Sequence, residues 1–433
     1  MKKILLLAAL LGIPVAGVFA QTLTLDAALK RALESNRELV AARVRVKEAQ
    51  ARLVQAGLWP NPEFELEGRT DKAFANEGEH DFGAWFAQPL SVSGRISAQK
   101  DVARVDIQRT TAEVVDFERR VVAEVRRSFT EFLVIEEQIK MQKFLIGLNE
   151  ELLSATKAAL PRGQVSEKDV NAIQIALQQA QQRLKVLETQ RGSRVFELNR
   201  LMGQRPENDF IASGALELRK LPDESAFKLE QALGRRPDFA AAQLDMLLAR
   251  SGQRLAKAER FEDWRIGVGY QRERSVIDGA PSQATGQFIG LRVSIPLPLF
   301  DRKQGRIAEA QAQEERAGKT VDALKLQISH ELADALNRMK TLAALLQSYE
   351  PGVLKKAEDN VKLVEDGYRK GLTSIVEVIQ SRQQFNELKS SYIETLLEYQ
   401  RALIDLEIAA GIFPSTIKLK PSTEEKSHEK PKK

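Results

Sequence analysis

The sequence predicts a mainly α-helical protein with a small transmembrane β part, built from two tandem copies of one unit. Three observations carry this. The first is an internal repeat: "ALESNRELVAA" at Ala32–Ala42 matches "ALGRRPDFAAA" at Ala232–Ala242 at an offset of 200, and "ARLVQA" at Ala51–Ala56 matches "QRLAKA" at Gln253–Ala258 at 202. Gly163, Ser166, Val170, Leu198 and Gly203 return as Gly371, Ser374, Val378, Leu406 and Gly411, each 208 residues later, so the agreement holds at both ends of the unit. The second is that charged helical pattern fills most of each copy while aromatics are only 6% of 433 residues. Extended helices packed through Ala, Leu and Val are therefore expected, not a globular core built on large rings. The third is that two short segments in each copy switch to period two, and all three tryptophans, Trp59, Trp85 and Trp264, lie in or beside them.

Residues 1–20 open with Lys2 and Lys3, an apolar run from Ile4 to Leu11, Pro14 and the small-residue pattern Val18-Phe19-Ala20. That pattern predicts a secretory signal peptide cleaved before Gln21, so the mature chain leaves the cytosol. The first repeat, 21–203, begins with a helix from about Leu25 to Leu58, where Leu39, Ala42, Val46, Ala49, Leu53 and Ala56 follow the 3-4 spacing of a coiled-coil seam. Strands are expected at about 62–69, where Phe64 and Leu66 alternate with Glu63, Glu65 and Glu67, and at 82–91, where alternation is less regular. A helix from about Ile96 to Leu160 follows, on the order of 100 Å long at the usual rise. Pro161 and Gly163 end it, and a return helix from Ser166 to Met202 stops at Gly203.

Residues 204–224 hold Pro and Gly among short apolar pieces and read as a connector with little regular structure. The second repeat, 225–413, repeats the plan with strands at about 264–273 and 286–297. In the first of these, Trp264, Ile266, Val268 and Tyr270 alternate with Arg265, Gly267, Gly269 and Gln271; in the second, Ile289, Leu291, Val293 and Ile295 alternate with Gly290, Arg292 and Ser294. Its long helical stretch, Arg306–Lys370, is expected to break at Glu350-Pro351-Gly352. The tail 414–433 is charged and of low complexity, which predicts disorder.

Composition excludes several functions. With no Cys, the chain has no disulfide, thiolate metal site or cysteine nucleophile, and no lipid anchored on Cys. His80, His330 and His428 have no ligand spacing, so no metal site is expected. No phosphate-cradling loop, H-E-x-x-H or nucleophile motif is present, which points away from an enzyme and from any cofactor. Of the net charge of +5, Lys2 and Lys3 carry two and the tail from Thr416 a net three, leaving a neutral body that does not suit nucleic acid. No later segment has the roughly 20 apolar residues of a membrane helix.

Aromatics clustered at the ends of apolar strand faces are how outer-membrane barrels sit at the bilayer interfaces, whereas a soluble sheet capping a helical bundle would hold the same aromatics as its core. A lipid-exposed sheet must close, because each unpaired backbone group costs several kcal/mol in hydrocarbon. Four strands cannot close. Eight from a dimer would leave an interior filled by side chains, and twelve from a homotrimer would leave a lumen, which suits inward Glu, Arg, Gln and Ser.

The plan resembles the TolC-like outer-membrane efflux proteins over essentially the whole mature chain. "LTLDAALKRALESNRELVAARVRVKEAQARL" is similar to the family's opening helix, "SIPLPLFDRKQGRIAEAQA" (Ser294–Ala312) to the strand-to-helix crossing of its heavy-metal branch, typified by CzcC and CusC, and "GYRKGLTSIVEVIQSRQQF" (Gly367–Phe385) to its hairpin tip and inner helix. The resemblance implies a trimer with a twelve-stranded barrel and a periplasmic helical tunnel. Its partners would be a periplasmic adaptor (membrane fusion) protein and an inner-membrane RND-type pump, the whole exporting heavy-metal cations. Drug efflux, type I protein secretion and, in a different class, a soluble periplasmic helical scaffold are the alternatives. Family members with an N-terminal Cys are lipoproteins; this mature chain is expected to begin at Gln21 and to rest in the membrane on its barrel alone.

The resemblance also marks residues. The hairpin tips, Pro161, Arg162, Gly163 and Ser166 in one copy and Arg369, Lys370, Gly371 and Ser374 in the other, would meet the adaptor, though the glycines are also what a chain reversal needs. Asp169 and Glu377, six residues after each glycine, and Tyr368 would form a periplasmic gate; the plainer reading of the two acids is solvated helix residues. Phe64, Leu66, Trp85, Trp264, Ile266, Val268, Tyr270, Ile289, Leu291 and Val293 are expected to face lipid. A charge at Val268 should then harm assembly more than one at Gly267.

Overall fold

A computed structural model describes residues 21–73, 78–214, 227–275, 285–349 and 352–417. The expected signal peptide and residues 418–433 of the tail lie outside this set. Contacts divide the chain into two units, one drawn from Met1–Asn36, Glu124–Lys220 and Leu342–Arg401, the other from Arg37–Ala123, Leu221–Thr341 and Ala402–Lys433. Among the described residues, no helix is long and apolar enough to cross a membrane.

In chain order the elements are β1 (Gln21–Leu23), α1 (Leu25–Ser35), α2 (Arg37–Ala56), β2 (Glu63–Thr70), β3 (His80–Leu90), α3 (Arg95–Ala159), α4 (Glu167–Leu201), β4 (Phe210–Ala212), α5 (Leu229–Arg235), α6 (Pro237–Ala258), β5 (Trp264–Arg274), β6 (Gly286–Ser294), α7 (Gln304–Tyr349), α8 (Val353–Arg369) and α9 (Ile375–Ala409). The 65 residues of α3 contain neither Pro nor an internal stop, so the helix runs unbroken until Pro161.

Three expectations are corrected. The opening helix is two helices, because Asn36 leaves the helical region at ψ 122°. Its buried side-chain amide donates to the Leu201 carbonyl at 2.9 Å, a bond that a straight helix would not allow. The connector, expected to hold little regular structure, contributes one short strand: β4 pairs with β1 in parallel, Gln21 opposite Phe210 and Leu23 opposite Ala212. The tail is held at its start, where Glu118 accepts from Ser415 Oγ at 2.6 Å, from the Thr416 amide at 3.0 Å and from the Thr416 hydroxyl, while Arg43 donates to the same carboxylate at 2.7 Å. Burial raises the Glu118 pKa, but these four donors outweigh it and hold the group below the ordinary glutamate value. Near the expected kink, α7 ends at Tyr349 and α8 starts at Val353; Glu350 and Pro351 lie outside the described residues.

The duplication is visible in hydrogen bonds. Arg236, equivalent to Asn36, also leaves the helical region, at ψ 120°, and its guanidinium donates to the Ala409 carbonyl at 3.3 Å, as Asn36 does to Leu201. Gly203 and Gly411 end α4 and α9 with φ of +66° and +71°. A Cβ on Gly203 would lie 2.1 Å from the Ser35 carbonyl oxygen, and one on Gly411 would lie 2.8 Å from Arg235 Cβ. Each helix end therefore needs glycine both for its dihedral angle and for the chain that passes beside it.

The second unit carries a four-stranded antiparallel sheet of order β2-β3-β5-β6. Rows run straight across it: Phe64, Phe86, Val268 and Leu291 are mutually opposite, and so are Glu65, Trp85, Gly269 and Gly290. Opposed residues share a face. β6 stops at Ser294, short of the expected 297, because Pro296 and Pro298 cannot donate to a ladder.

Candidate functional site

The sheet presents two chemically distinct faces. One holds Phe64, Leu66, Phe82, Phe86, Trp264, Ile266, Val268, Tyr270, Ile289, Leu291 and Val293, and gives way at the hairpin end to Arg272 and Gln287 in the Phe82 row and to Thr70, His80 and Arg274 in the row beyond. The apolar side chains are exposed, Ile289 at 90%, Leu291 at 71% and Phe64 at 66%. Such a continuous apolar surface is not a soluble core, since a core would bury it.

The opposite face is polar. Glu63, Glu65, Glu67, Asp81 and Glu273 stand on it with Arg69, Arg265 and Arg292, five carboxylates against three guanidiniums. Arg265 lies 3.8 Å from Glu63, Arg292 3.5 Å from Glu65 and Arg69 2.6 Å from Glu67, and the Gln271 amide donates to Asp81 at 3.2 Å.

Trp85 is the exception to the expected grouping. The pairing puts it on the polar face, opposite Glu65 and Gly269, and not among the apolar residues. The alternation of β3 is too irregular to assign sides by itself, so residue type suggested the wrong face; only the register with β2 and β5 settles it. Gly267 is corrected as well. It is buried, and a Cβ there would lie 3.1 Å from both Ala87 Cβ and the Phe86 carbonyl oxygen, so any substitution is crowded and it is no neutral comparison for Val268.

The two hairpin tips are built alike. The Gly163 amide donates to Leu160 at 3.0 Å and Gln164 to Ala159 at 3.4 Å; 208 residues later Gly371 donates to Tyr368 at 2.9 Å and Leu372 to Gly367 at 2.8 Å. This is the same helix-ending double bond, closed on glycines at φ +71° and +73°. Pro161 lies in a short 3-10 turn, Leu160–Arg162, and Arg162, Gly163, Arg369, Lys370 and Gly371 are exposed.

Asp169 and Glu377 cap helices. Asp169 accepts from the Ser166 amide at 2.9 Å and from Ser166 Oγ at 2.7 Å, while Ser166 Oγ accepts from the Asp169 amide at 3.3 Å. Glu377 accepts from Ser374 Oγ at 3.1 Å and donates its amide back at 3.3 Å. The hydrogen bonds from the Ser166 side chain and then its backbone lower the Asp169 pKa below the ordinary 3.8. The cap's contribution is therefore present at neutral pH and is lost as pH falls through that lowered value. With a cap worth about 1 kcal/mol, Ser166→Ala should speed amide exchange in the first turn of α4 about fivefold at neutral pH, and the gap between variant and parent should close in acid. Hydrogen-exchange mass spectrometry of the tip peptide measures both.

The tips are knitted together by an apolar cluster of Ile173, Ile375 and Val378, against which Tyr368, Leu152, Leu153 and Val364 pack. Tyr368 thus joins the two hairpins. Arg382 ties three helices, at 2.7 Å from Glu365 and 3.3 Å from both the Leu148 carbonyl and Asn149 Oδ1. Sequence reasoning missed Arg382, which nothing but its charge distinguishes. It also missed Leu372 and Leu363, at 77% and 71% exposure; an apolar residue directly after the helix-ending glycine is the signal that would have found the first. Among the described residues, no group of three or more His, Cys, Asp or Glu could hold a metal ion.

Comparison with known proteins follows the same plan. The chain is 24% identical over 90% of its length to the cobalt-zinc-cadmium resistance protein CzcC of Cupriavidus metallidurans, covering 91% of it. It is 23% identical over 89% of its length to the pyoverdine export outer membrane protein OpmQ of Pseudomonas putida, covering 85% of that chain. The crystal structure of CusC superposes with a TM-score of 0.74 at 17% identity, over 91% of this chain and 93% of CusC. The model of the outer membrane efflux protein family matches twice, over residues 28–204 and again over 229–412, and the chain belongs to that family.

Proposed function

We propose that the chain is the outer-membrane duct of a tripartite efflux system, passing heavy-metal cations out of the periplasm. It does no bond chemistry: the family it belongs to is one of efflux channels, not enzymes. One observation carries the reading, a sheet with an exposed apolar band across one face, a mainly charged opposite face and two open edges. Because the four strands alternate in direction, β2 and β6 run antiparallel to each other. A rotation about a common axis therefore sets β6 of one copy beside β2 of the next in the antiparallel sense, and three copies close a twelve-stranded barrel with lipid outside and water inside.

In this reading residues 1–20 are the leader, 21–203 and 225–413 the two repeats, 204–224 the connector and 414–433 the tail. The long helices form a periplasmic tunnel. Arg162, Gly163, Arg369, Lys370 and Gly371, with the exposed Leu372, meet a periplasmic adaptor that links the duct to an inner-membrane RND-type pump. The excess of carboxylates on the polar face supports a cationic cargo, since a lumen of that sign concentrates cations, and the likeness to CzcC points the same way. The likeness to OpmQ keeps export of a small organic molecule as the second reading. Family membership sets the soluble scaffold aside.

Asp169, Glu377 and Tyr368 remain the gate candidates, now with capping and packing roles that need no gate. Purified protein in planar bilayers is expected to form a cation-selective pore, and Glu377→Ala to lower that selectivity. Unchanged selectivity would leave Glu377 a helix cap only, and recovery of the chain from the soluble periplasm would overturn the duct.

A further inference from the structure

The polar face is not level. Trp85 lies flat across two strands on a seat of three glycines. A Cβ on Gly269 would come within 2.3 Å of the indole, one on Gly290 within 2.7 Å, and one on Gly83 within 3.2 Å of its ring nitrogen. These glycines come from β3, β5 and β6, so the seat exists only once the sheet has paired. The Arg292 guanidinium covers the other side of the ring, 4.0 Å from its centroid, and Glu65 holds that guanidinium at 3.5 Å. Backbone, indole and guanidinium make a three-layer pile, the guanidinium reaching over from the adjacent row, where Arg292 stands opposite Gly267.

We propose that this pile is a size filter, and that Trp85 and Arg292 set the width of the duct at the row of Glu65, Gly269 and Gly290. The inference rests on the barrel reading above. Twelve strands spaced about 4.8 Å apart and tilted about 40° give a backbone radius of about 12 Å. An indole in van der Waals contact with the sheet, and a guanidinium stacked on it, reach about 7–8 Å inward. Three such piles leave a gap of about 4–5 Å radius, wide enough for a hydrated ion or small chelate and too narrow for a folded peptide. Each guanidinium is paired with the Glu65 carboxylate of that row, so the pile adds no net charge at the narrowest level and selects by width and not by sign.

The chain has no native Cys, so single thiols report access without background. On the polar face, Glu273 lies at the hairpin end of the pile and Ser294 at the end where the helices attach. Glu273→Cys and Ser294→Cys would be assayed in intact cells with a small maleimide and with a polyethylene-glycol maleimide wider than the gap, both applied from outside. The wide reagent is expected to label Glu273→Cys readily and Ser294→Cys slowly, and adding Trp85→Ala to raise labelling at Ser294→Cys about tenfold. Arg292→Ala removes only the upper layer, should give a smaller rise, and carries the test if Trp85→Ala fails to assemble. Equal labelling of Ser294→Cys by the wide reagent with and without the pile overturns the filter. Failure of the small reagent to reach either thiol in membrane-assembled protein overturns the lumen beneath it.

Discussion

Leu291→Arg is expected to remove the protein from the outer membrane almost completely. Leu291 stands in the row Phe64, Phe86, Val268 and Leu291 on the exposed apolar face, and it is itself 71% exposed. A cationic side chain facing the middle of a bilayer on a barrel costs about 2–4 kcal/mol, or about thirty- to several-hundredfold in the equilibrium for one chain, and a closed trimer incurs it three times. Gln271→Arg supplies the comparison. Gln271 is on the polar face and already donates to Asp81, so an arginine there gains a partner and meets water. It should assemble within about twofold of the parent, as lumen substitutions do. The readout is the heat-labile trimer in outer-membrane fractions. Equal assembly of both variants would show that the apolar face does not meet lipid.

The second large effect is expected at Arg236→Ala. The Arg236 side chain is 2% exposed and is bracketed by Asp238 and Glu331, each at 2.5 Å, with the Ala409 carbonyl at 3.3 Å. Burial opposes its charge, but these carboxylates outweigh that and raise its pKa; burial likewise pushes the Asp238 pKa up, and Arg236 together with Arg119 brings it below the ordinary aspartate value. Removing the guanidinium leaves Asp238 half-satisfied and the end of α9 unpaired, a loss of about 3–5 kcal/mol. Arg236→Lys should not restore it, because one ammonium cannot span two carboxylates and a carbonyl. Asn36→Ala, the equivalent in the first copy, deletes a neutral amide and with it the bond to the Leu201 carbonyl, and should cost only about 1–3 kcal/mol. Denaturant unfolding of the purified variants would measure the ratio, and equal losses would mean that the charge cluster contributes nothing beyond the carbonyl bond.

Those two positions show how far the sequence can be read. Asn36 lies three residues before the Leu39–Ala56 seam begins and is a residue type that favours helix caps, but no proline follows it to mark the bend. Its equivalent is followed by Pro237, which biases the residue before it towards extended backbone. Carried across the repeat, that one proline would have divided both opening helices. The short strands β1 and β4 were illegible for a different reason, since three residues are too few for periodicity and each exists only because the other is near. Ser415 and Thr416 looked like the start of a disordered tail because nothing adjacent to them in the chain reveals the buried Glu118 to which they bind.

By itself the sequence determined what is periodic or duplicated: the two copies, the long helices, the glycine-closed tips, and the alternation that puts Val268 and Leu291 on one side and Arg265 and Arg292 on the other. These follow from spacing along one chain, where side-chain direction is set by the backbone repeat. Only the tertiary structure decided what depends on which residue lies opposite which. It moved Trp85 to the polar face, seated it on glycines from three strands and placed Arg292 over it, turned Asp169 and Glu377 into helix caps, and joined the tips through Tyr368. Register and packing are relations between distant segments, and a pattern read along one strand cannot supply them.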